Sequence, residues 1–422
     1  MKHPDWAKNA TLYEVNIRQY TPEGTFNAFA DHLPRLRDMG IKILWLMPIN
    51  PIGKVNRKGT LGSYYAISDF RTINPEYGNL DDFKALIRKI HDLDMYVLID
   101  WVADHSAWDN FLVNEHPEYY MKDEEGNVIS PVKDWTDVAG FNYNVKELRE
   151  YMTESLIYWV KETNIDGFRC DVAGMVPVSF WNEAVPRIRK VKEIFMLAEW
   201  ETPDMHEIAF DMTYSWDIYH LMNDIATGNK NASLIDQIWI ENAHIFPADA
   251  IRLRFTSNHD ENSWNGSESE RMGPAVKTFA AFTFLIPGMP LIYSGQESGF
   301  AKRLAFFDKD QIDWDHYLLG YFYSTLIYLK RRNPALWCPP DGGDFKRIIT
   351  DREDSVYSFC RTNGEHTVTG VFNLSNQEVS FHITSSPVSG KFRNIFSNAA
   401  TEIGEGVLLH FKPWEFKILE NY

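Results

Sequence analysis

The chain has 422 residues, of which 44% are hydrophobic, so it can bury a core large enough to exclude intrinsic disorder. This length predicts about two to three domains, although a (β/α)8 barrel can use roughly 250 residues in one of them. Lysine and arginine number 42 against 59 acidic residues, and the net charge of −17 argues against nucleic acid or an anionic membrane surface as a partner.

Cysteine usage and hydropathy exclude several further classes of protein. Cys170, Cys338 and Cys360 show no CxxC spacing, so we predict neither a disulfide framework nor a zinc site. The N-terminal segment lacks the apolar core of a signal peptide, and the most apolar stretch, 279–293, is interrupted by prolines. We therefore expect a soluble, cytoplasmic protein, or a secreted one if a signal peptide has been removed. The sequence leaves the oligomeric state open.

The first three hundred residues alternate short apolar runs with amphipathic segments. The runs that predict strands are 12–19, 43–49, 96–102, 167–172, 195–200, 253–257 and 291–293, with a weaker one near 210–214. Helical patterns lie between them at 26–39, which ends at Gly40, at 79–93, which begins with an Asn-x-x-Asp cap, and at 147–163. Strands alternating with helices about eight times predict a closed (β/α)8 barrel with a parallel sheet. An open doubly wound sheet is the alternative, but no GxGxxG follows the first strand.

Two segments depart from this alternation. Residues 103–143 show no clear period, and we predict an insertion after strand 3 that overhangs the carboxyl end of the barrel. After a helical pattern at 317–332, short alternating runs predict a C-terminal antiparallel β-sandwich; they are 355–361, 367–374, 379–384, 407–411 and 415–419. The predicted domains are the barrel over 1–102 and 144–333, the insertion 103–143, and the β domain 334–422.

Acidic residues lie at or just beyond the ends of four of the predicted strands. They are Asp100 and Asp104 in the third strand segment, Asp171 in the fourth, Glu199 in the fifth, and Asp260 in the seventh. Each alone reads as a helix cap or a loop residue, but like charges gathered at one barrel mouth are costly unless chemistry uses them. With no metal-binding or phosphate-binding spacing, the set suits cleavage of a glycosidic bond, which needs one protonated and one ionised carboxyl.

The neighbours of two acids suggest how those roles divide. Arg169 lies two residues before Asp171, so both side chains share one face of the strand, and the guanidinium would favour the ionised carboxylate that a nucleophile requires. A structural ion pair is the other interpretation of these two residues. Glu199 lies between Ala198 and Trp200, where partial desolvation would favour the protonated form that an acid requires.

These strand ends resemble the four signature segments of the α-amylase family of glycoside hydrolases, family 13. The corresponding segments are 100–105, 167–171, Glu199 and 255–260. Residues 62–69 resemble an early Gly/Tyr…Asp segment of the family, and 288–297 resemble its eighth-strand motif. The resemblance covers nearly the whole chain, in order and with fitting spacing.

The resemblance implies a retaining, two-step α-glycoside hydrolase. Asp171 would be the nucleophile, Glu199 the acid and then the base, and Asp260 would bind the sugar hydroxyls. Arg169 would orient Asp171, and Asp100 would support Arg169. The residues implied to contact the sugar are Tyr65, His105, His259 and Trp200. Retention through a glycosyl-enzyme needs the two carboxyl groups about 5–5.5 Å apart.

The calcium site usual in this family is altered here. Asp104 stands where the family has an asparagine, Gly140 stands where it has an aspartate, and Met175 replaces a histidine. Because calcium prefers six to eight oxygens, losing a carboxylate costs much of its affinity, so we expect no structural calcium and no other cofactor. Asp104 and Asp137 would be the ligands of any different site. Gly174 also replaces a lysine that often binds leaving-side sugar.

The short insertion predicts an open groove, which favours α-1,4-glucans of the starch type or maltodextrins over disaccharides. The candidate platforms for sugar rings are Trp101, Trp108, Trp135 and Trp200. Maltogenic or cyclomaltodextrin hydrolysis and 4-α-glucanotransfer stay open as alternatives. A catalytically inactive sugar-binding or scaffold protein is a further alternative, which the retained Asp171, Glu199 and Asp260 argue against.

Overall fold

A computed structural model describes residues 2–314 and 316–421 of the chain. Its first ten strands are Leu12–Val15 (β1), Ile43–Leu46 (β2), Tyr96–Val102 (β3), His105–Ala107 (β4), Val138–Gly140 (β5), Gly167–Asp171 (β6), Phe195–Ala198 (β7), Met212–Thr213 (β8), Ile251–Arg254 (β9) and Met289–Tyr293 (β10). Eight of these form a closed barrel in the order β1-β10-β9-β8-β7-β6-β3-β2. The ladders from β1 through β2, β3, β6 and β7 to β8 are parallel, as is the pair β9–β10. The predicted barrel is confirmed, including the weak sixth strand.

The α-helices of the described residues are Ile17–Tyr20 (α1), Phe26–Ala30 (α2), Leu33–Met39 (α3), Leu80–Asp92 (α4), Phe111–Glu115 (α5), Lys146–Thr163 (α6), Val178–Arg189 (α7), Trp216–Ala226 (α8), Ile235–Ile245 (α9), Glu268–Met272 (α10), Val276–Leu285 (α11) and Gly320–Arg332 (α12). The cap predicted for α4 is present, because Asn79 accepts from the backbone N–H of Asp82 and Asp82 accepts from that of Asn79. Helix α3 ends at Gly40, whose φ of 98° is left-handed.

Three sequence-based boundaries were wrong. The helix predicted over 26–39 is two helices, because Pro34 lacks the N–H that a continuous helix would need at that position. The strand predicted over 12–19 ends at Val15, and α1 follows it. The strand predicted over 253–257 is Ile251–Arg254, so the segment that carries Asp260 begins beyond the strand.

A small antiparallel sheet of two strands begins directly after the third barrel strand, β3, in the chain. Strand β4 pairs with β5 through His105↔Gly140 and Ala107↔Val138. Ala107 and Val138 of this sheet pack with Ala66, and Trp135 lies against the three. The sheet therefore lies within the predicted insertion and brings its two ends together. In the part of the chain that the structure describes, no helix is long and apolar enough to cross a membrane.

The C-terminal strands are Asp344–Thr350 (β11), Val356–Asn363 (β12), His366–Asn373 (β13), Val379–Ser385 (β14), Gly390–Asn394 (β15), Ala400–Ile403 (β16), Leu408–Phe411 (β17) and Phe416–Asn421 (β18). Their order is β16-β15-β18-β13-β12-β11-β14-β17, and the recorded pairs are antiparallel. The antiparallel β domain is confirmed. The sequence missed β11, β15 and β16, because their side chains are mostly exposed or partly exposed and show little apolar alternation.

By internal packing the chain forms two compact units. The first contains the residues up to Pro4, Leu12–Tyr214 and Leu304–Trp314. The second contains Asp5–Thr11, Ser215–Arg303 and the chain after Trp314. Within the second unit, Phe282 of α11 packs its ring on Phe359 and Phe372, at centroid distances of 6.0 and 5.4 Å. The domain boundaries proposed from the sequence stay predictions.

Candidate active site

Neighbouring strands of the first unit carry the acidic residues singled out by the sequence. Asp100 lies in β3, opposite Arg169 of β6 in the parallel ladder, and Asp171 is the last residue of β6. Glu199 directly follows β7, and its backbone N–H donates to the carbonyl of Cys170. The parallel register therefore brings these four side chains to one end of adjacent strands.

The Arg169 guanidinium joins three carboxylates. Its Nη1 atom donates to Asp171 Oδ1 at 2.6 Å and to Asp100 Oδ1 at 2.9 Å. Its Nη2 atom lies 2.8 Å from Glu199 Oε1, an ion-pair distance outside the direction of a regular hydrogen bond. Arg169 and Asp100 have fully buried side chains, while those of Asp171 and Glu199 are 11% and 12% exposed. The two carboxyls that the sequence assigns to bond cleavage are thus held by one cation and face what little solvent reaches the cluster.

Aromatic residues enclose the buried side of this cluster. The rings of Trp45, Tyr65 and Tyr214 lie 4.9, 5.8 and 5.9 Å from the guanidinium carbon of Arg169. Trp45 Nε1 and Tyr65 OH both donate to Asp100 Oδ2, at 3.1 and 3.2 Å. Asp100 therefore has its charge compensated and both oxygens bonded, which fits its predicted role in supporting Arg169.

Burial decides the electrostatics of the cluster. Burial raises the pKa of the Asp171 carboxyl well above its ordinary value; Arg169 opposes this shift, and the charges of Glu199 and Asp100 reinforce it. Arg169 thus favours the ionised carboxylate, as the sequence predicts, but burial outweighs the effect of the guanidinium. Arg169 itself stays charged, because Asp100 and Glu199 outweigh its burial and raise its pKa well above the usual value.

The residue after Asp171 has a strained backbone. Val172 has φ of 34° and ψ of 48°, a left-handed conformation that is unfavourable for a β-branched residue. In this conformation its N–H donates to Glu199 Oε2 at 2.8 Å. Glu199 is thus oriented by Arg169 on one oxygen and by a backbone N–H on the other. The hydrogen bond from the strained Val172 backbone thus holds the Glu199 carboxyl next to the Asp171 segment.

His105 and Tyr65 are close to the cluster but are already engaged by the protein. His105 Nδ1 lies 2.9 Å from Asp104 Oδ2, and its Nε2 lies 3.1 Å from the carbonyl oxygen of Tyr65. Tyr65 is only 8% exposed and stacks on Phe306 at a centroid distance of 6.2 Å. Their predicted contacts with a sugar stay predictions, and for His105 they would require its Nε2 to exchange a partner.

The structure separates the four candidate tryptophan platforms. Trp101 is fully buried against Phe70 and Phe168, so its assignment as a sugar platform was wrong. Trp108 and Trp135 are partly exposed in the insertion, and Trp200 is partly exposed directly after Glu199. Partial exposure leaves these three as candidates.

Trp200 lies against the backbone of Gly174. A Cβ atom added to Gly174 would fall 1.9 Å from Trp200 Cε2, which no side chain tolerates. The indole therefore occupies the space where the family's lysine side chain would begin, and position 174 must be glycine for Trp200 to keep this place.

The second unit carries the remaining predicted pair. Asp260 follows β9 by six residues, its side chain is 38% exposed, and its Oδ2 atom lies 3.3 Å from Nε2 of the buried His259. Its other oxygen, Oδ1, accepts from Trp264 Nε1 at 3.2 Å. Sequence reasoning missed Trp264. The signal that could have found it is an aromatic residue one helical turn after the acid of a strand-end segment.

The residues suggested for an alternative metal site have other partners. Asp104 Oδ2 contacts His105, and Asp137 Oδ1 lies 3.1 Å from the ammonium of Lys58. Residues 2–314 and 316–421 contain no group of three or more His, Cys, Asp or Glu side chains arranged to hold a metal ion. These residues do not fit a calcium cage as they stand, and the expectation about calcium stays a prediction.

Comparisons with known proteins bear on the whole chain. The family profile described as the α-amylase catalytic domain matches residues 7–138 and 132–318, and that of the α-amylase C-terminal all-β domain matches 348–412. The crystal structure of a noncanonic maltogenic α-amylase from Thermotoga neapolitana is 32% identical, with a TM-score of 0.91 over 99% of both chains. An α-amylase structure from Lactobacillus plantarum is 31% identical, with a TM-score of 0.88 over 99% of this chain and 100% of that one.

A curated relative, an α-amylase of Haloarcula japonica, is 26% identical over 424 residues. The match covers 92% of this chain but 60% of that relative, so the chain spans less than two thirds of its length. A maltogenic α-amylase of Bacillus acidopullulyticus is 23% identical, over 99% of this chain and 78% of the relative.

Proposed function

The chain belongs to the α-amylase family of glycoside hydrolases, and from that premise we propose that it cleaves α-1,4-glucosidic bonds in starch-type glucans or maltodextrins with retention of the α configuration. One observation carries the proposal: the Arg169 guanidinium hydrogen-bonds Asp171 through Nη1 at 2.6 Å and forms an ion pair with Glu199 through Nη2 at 2.8 Å. Such carboxyls are close neighbours, as a retaining enzyme needs, whereas an inverting enzyme separates them by about 6.5–9.5 Å to admit a water molecule.

In the proposed first step, Asp171 attacks the anomeric carbon while Glu199 gives its proton to the departing glycosidic oxygen. The C–O bond to the leaving sugar breaks as the bond to Asp171 forms, which leaves a glycosyl-enzyme. In the second step, Glu199 takes a proton from water, the water oxygen attacks the same carbon, and Asp171 departs as a carboxylate. Arg169 supports both steps, because its positive charge compensates the negative charge, which lies on Asp171 before the first step and on Glu199 after it.

Asp260 is proposed to bind the sugar hydroxyls as the ring flattens towards an oxocarbenium ion. It follows a strand of the same closed barrel and has an accessible carboxylate held by His259. Tyr65, His105 and His259 are proposed to contact that sugar. Trp200 is proposed to face the leaving-side sugar, since its partly exposed indole directly follows Glu199.

A maltogenic action is the second candidate, favoured by the 32% identity to the Thermotoga neapolitana structure. A product time course on amylose, maltotriose and a cyclodextrin separates the candidates. An endo-acting enzyme removes iodine staining of amylose before reducing ends accumulate, whereas a maltogenic one releases maltose from the start. Longer products from maltotriose would indicate glucanotransfer. Products that first appear as β-anomers in proton NMR spectra would contradict the retaining mechanism, and absence of hydrolysis of every substrate would contradict the proposal itself.

The pH profile follows from the environment of Asp171. Since burial raises the pKa of Asp171, its carboxyl stays protonated at pH values where an exposed aspartate, with a pKa of about 4, is already ionised. Only the ionised form attacks, so activity should rise as pH increases through that raised pKa. We expect the acidic limb of kcat/KM to lie well above about pH 4, measured with a chromogenic maltooligosaccharide. Re-assay at neutral pH is the control for denaturation, and a limb near pH 4 would contradict the expectation.

We further propose that the enzyme works in the cytoplasm on imported maltodextrin. Cys170, Cys338 and Cys360 are all buried and form no disulfide bonds, which fits a reducing compartment. Polyanionic partners are not expected at a net charge of −17.

A further inference from the structure

Trp264 is placed unusually for so large an apolar side chain. Its surface is 52% exposed, yet its indole N–H is directed at Asp260 Oδ1, 3.2 Å away. Asp260 Oδ2 lies 3.3 Å from His259 Nε2, so each carboxylate oxygen has one nitrogen partner.

The backbone that carries Trp264 is a π-helical turn over Glu261–Asn265. Such turns are rare, cost stability relative to an α-helix and are frequent at functional sites. This one is anchored at several points: the Glu261 N–H donates to Asn258 Oδ1 at 2.8 Å, Asn262 Nδ2 donates to the carbonyl of Lys302 at 3.1 Å, and Asn265 Nδ2 donates to Glu261 Oε2 at 2.9 Å. The anchors hold the turn rigid while leaving the indole at the surface.

Asp260 needs this support more than the other two acids do. Asp171 and Glu199 are 11% and 12% exposed and are fixed by Arg169, whereas Asp260 is 38% exposed. A carboxylate exposed to this degree can rotate about its side-chain torsions and exchange its hydrogen bonds with water. A donor on a rigid turn restricts that rotation before substrate arrives, which is how a site is preorganised.

We propose that Trp264 is a positioning residue for Asp260, its indole N–H holding the carboxylate in the orientation that receives the sugar hydroxyls. This inference rests on the proposed role of Asp260. Trp264 would thus contribute to the rate of bond cleavage through Asp260, although it is 52% exposed and lies far from Asp171 in the sequence.

The test is Trp264→Phe, which keeps an aromatic ring and removes the N–H donor. We expect kcat on a chromogenic maltooligosaccharide to fall about tenfold, with KM changed less than about twofold, because the lost bond goes to a charged group that acts in the transition state. Trp264→His, which restores a ring N–H, should recover part of the loss. Tyr321→Phe, at a 72% exposed aromatic outside the site, is the matched control and should leave kcat unchanged.

A double-mutant cycle separates positioning from a general structural effect. In single-turnover assays with excess enzyme, adding Trp264→Phe to Asp260→Asn should cost at most about twofold, because the carboxylate on which Trp264 acts is already removed. An unchanged kcat in Trp264→Phe, or an equal loss in both backgrounds, would overturn the inference. If the unmodified enzyme hydrolyses no glucan, the proposed function fails instead, so the two failures are distinguishable.

Discussion

Asp171→Asn should lower kcat/KM on soluble starch by about 10⁴-fold or more, because the amide cannot form the glycosyl-enzyme through which a retaining mechanism passes. The substitution changes one oxygen to a nitrogen, so the shape of the site is preserved. The measurement is the release of reducing ends at equal concentrations of folded protein. Activity equal to that of the unmodified enzyme would mean that Asp171 is not the nucleophile.

The same substitution should not destabilise the protein. Because burial raises the pKa of Asp171, the folded state binds that proton more tightly than the unfolded chain. Stability therefore falls as the pH rises from the ordinary aspartate pKa of about 4 to the raised pKa, and the full loss persists above it. A neutral asparagine removes this penalty. At pH values above that pKa we therefore expect Tm of Asp171→Asn to be equal to or higher than that of the unmodified protein, which is typical of a residue retained for function.

Asp166→Asn is the matched control, because Asp166 directly precedes the other end of the same strand. Its carboxylate is buried, accepts from the Val97 N–H at 2.8 Å and pairs with Lys192 Nζ at 2.8 Å. We expect this variant to lose about 1–3 kcal/mol of unfolding free energy while kcat changes little. The two variants should thus separate activity from stability along one strand. A loss of activity in Asp166→Asn as large as in Asp171→Asn would contradict this division.

Arg169→Met should remove both activity and a large part of the stability. Asp100 is fully buried, and without the guanidinium its charge would lose its main compensation, at a cost of about 3–5 kcal/mol in unfolding free energy. The rate should fall about 10²–10³-fold, because the charge shared by Asp171 and Glu199 is no longer stabilised. Urea unfolding and starch hydrolysis measure the two effects, and Arg169→Lys should restore neither fully, since one ammonium cannot replace the planar fork.

The double variant Asp100→Asn with Arg169→Met distinguishes the two roles of Arg169. Removing both charges eliminates the unpaired carboxylate at position 100, so part of the unfolding free energy should return. Activity should not return, because Asp171 and Glu199 still lack their shared partner. Recovery of both properties together would mean that Arg169 acts on the reaction only by keeping the protein folded.

Where sequence reasoning succeeded, the determining interactions were local or periodic. The barrel follows from apolar runs that alternate with amphipathic helices, and Asn79 with Asp82 specifies the start of α4 within a few residues of chain. Where it failed, contacts between residues far apart in the sequence determined the structure. Trp101 is of the residue type that stacks on sugars, but it is enclosed by Phe70 and Phe168. Strands β15 and β16 are held by pairing with neighbouring strands and show no apolar alternation of their own.

Length and composition are properties of the chain, and they predicted a large core without any reference to the fold, just as the net charge gave the expectation that polyanions do not bind. The order of residues determined the barrel, the acids at its strand ends and the pairing of Arg169 with Asp171, because neighbours on one strand face are fixed by chain geometry. Only the tertiary structure decided that Arg169 also reaches Glu199, that Trp264 holds Asp260, and that burial raises the pKa of Asp171 despite the guanidinium beside it. Desolvation depends on every atom packed around a group, and no segment of sequence contains that information.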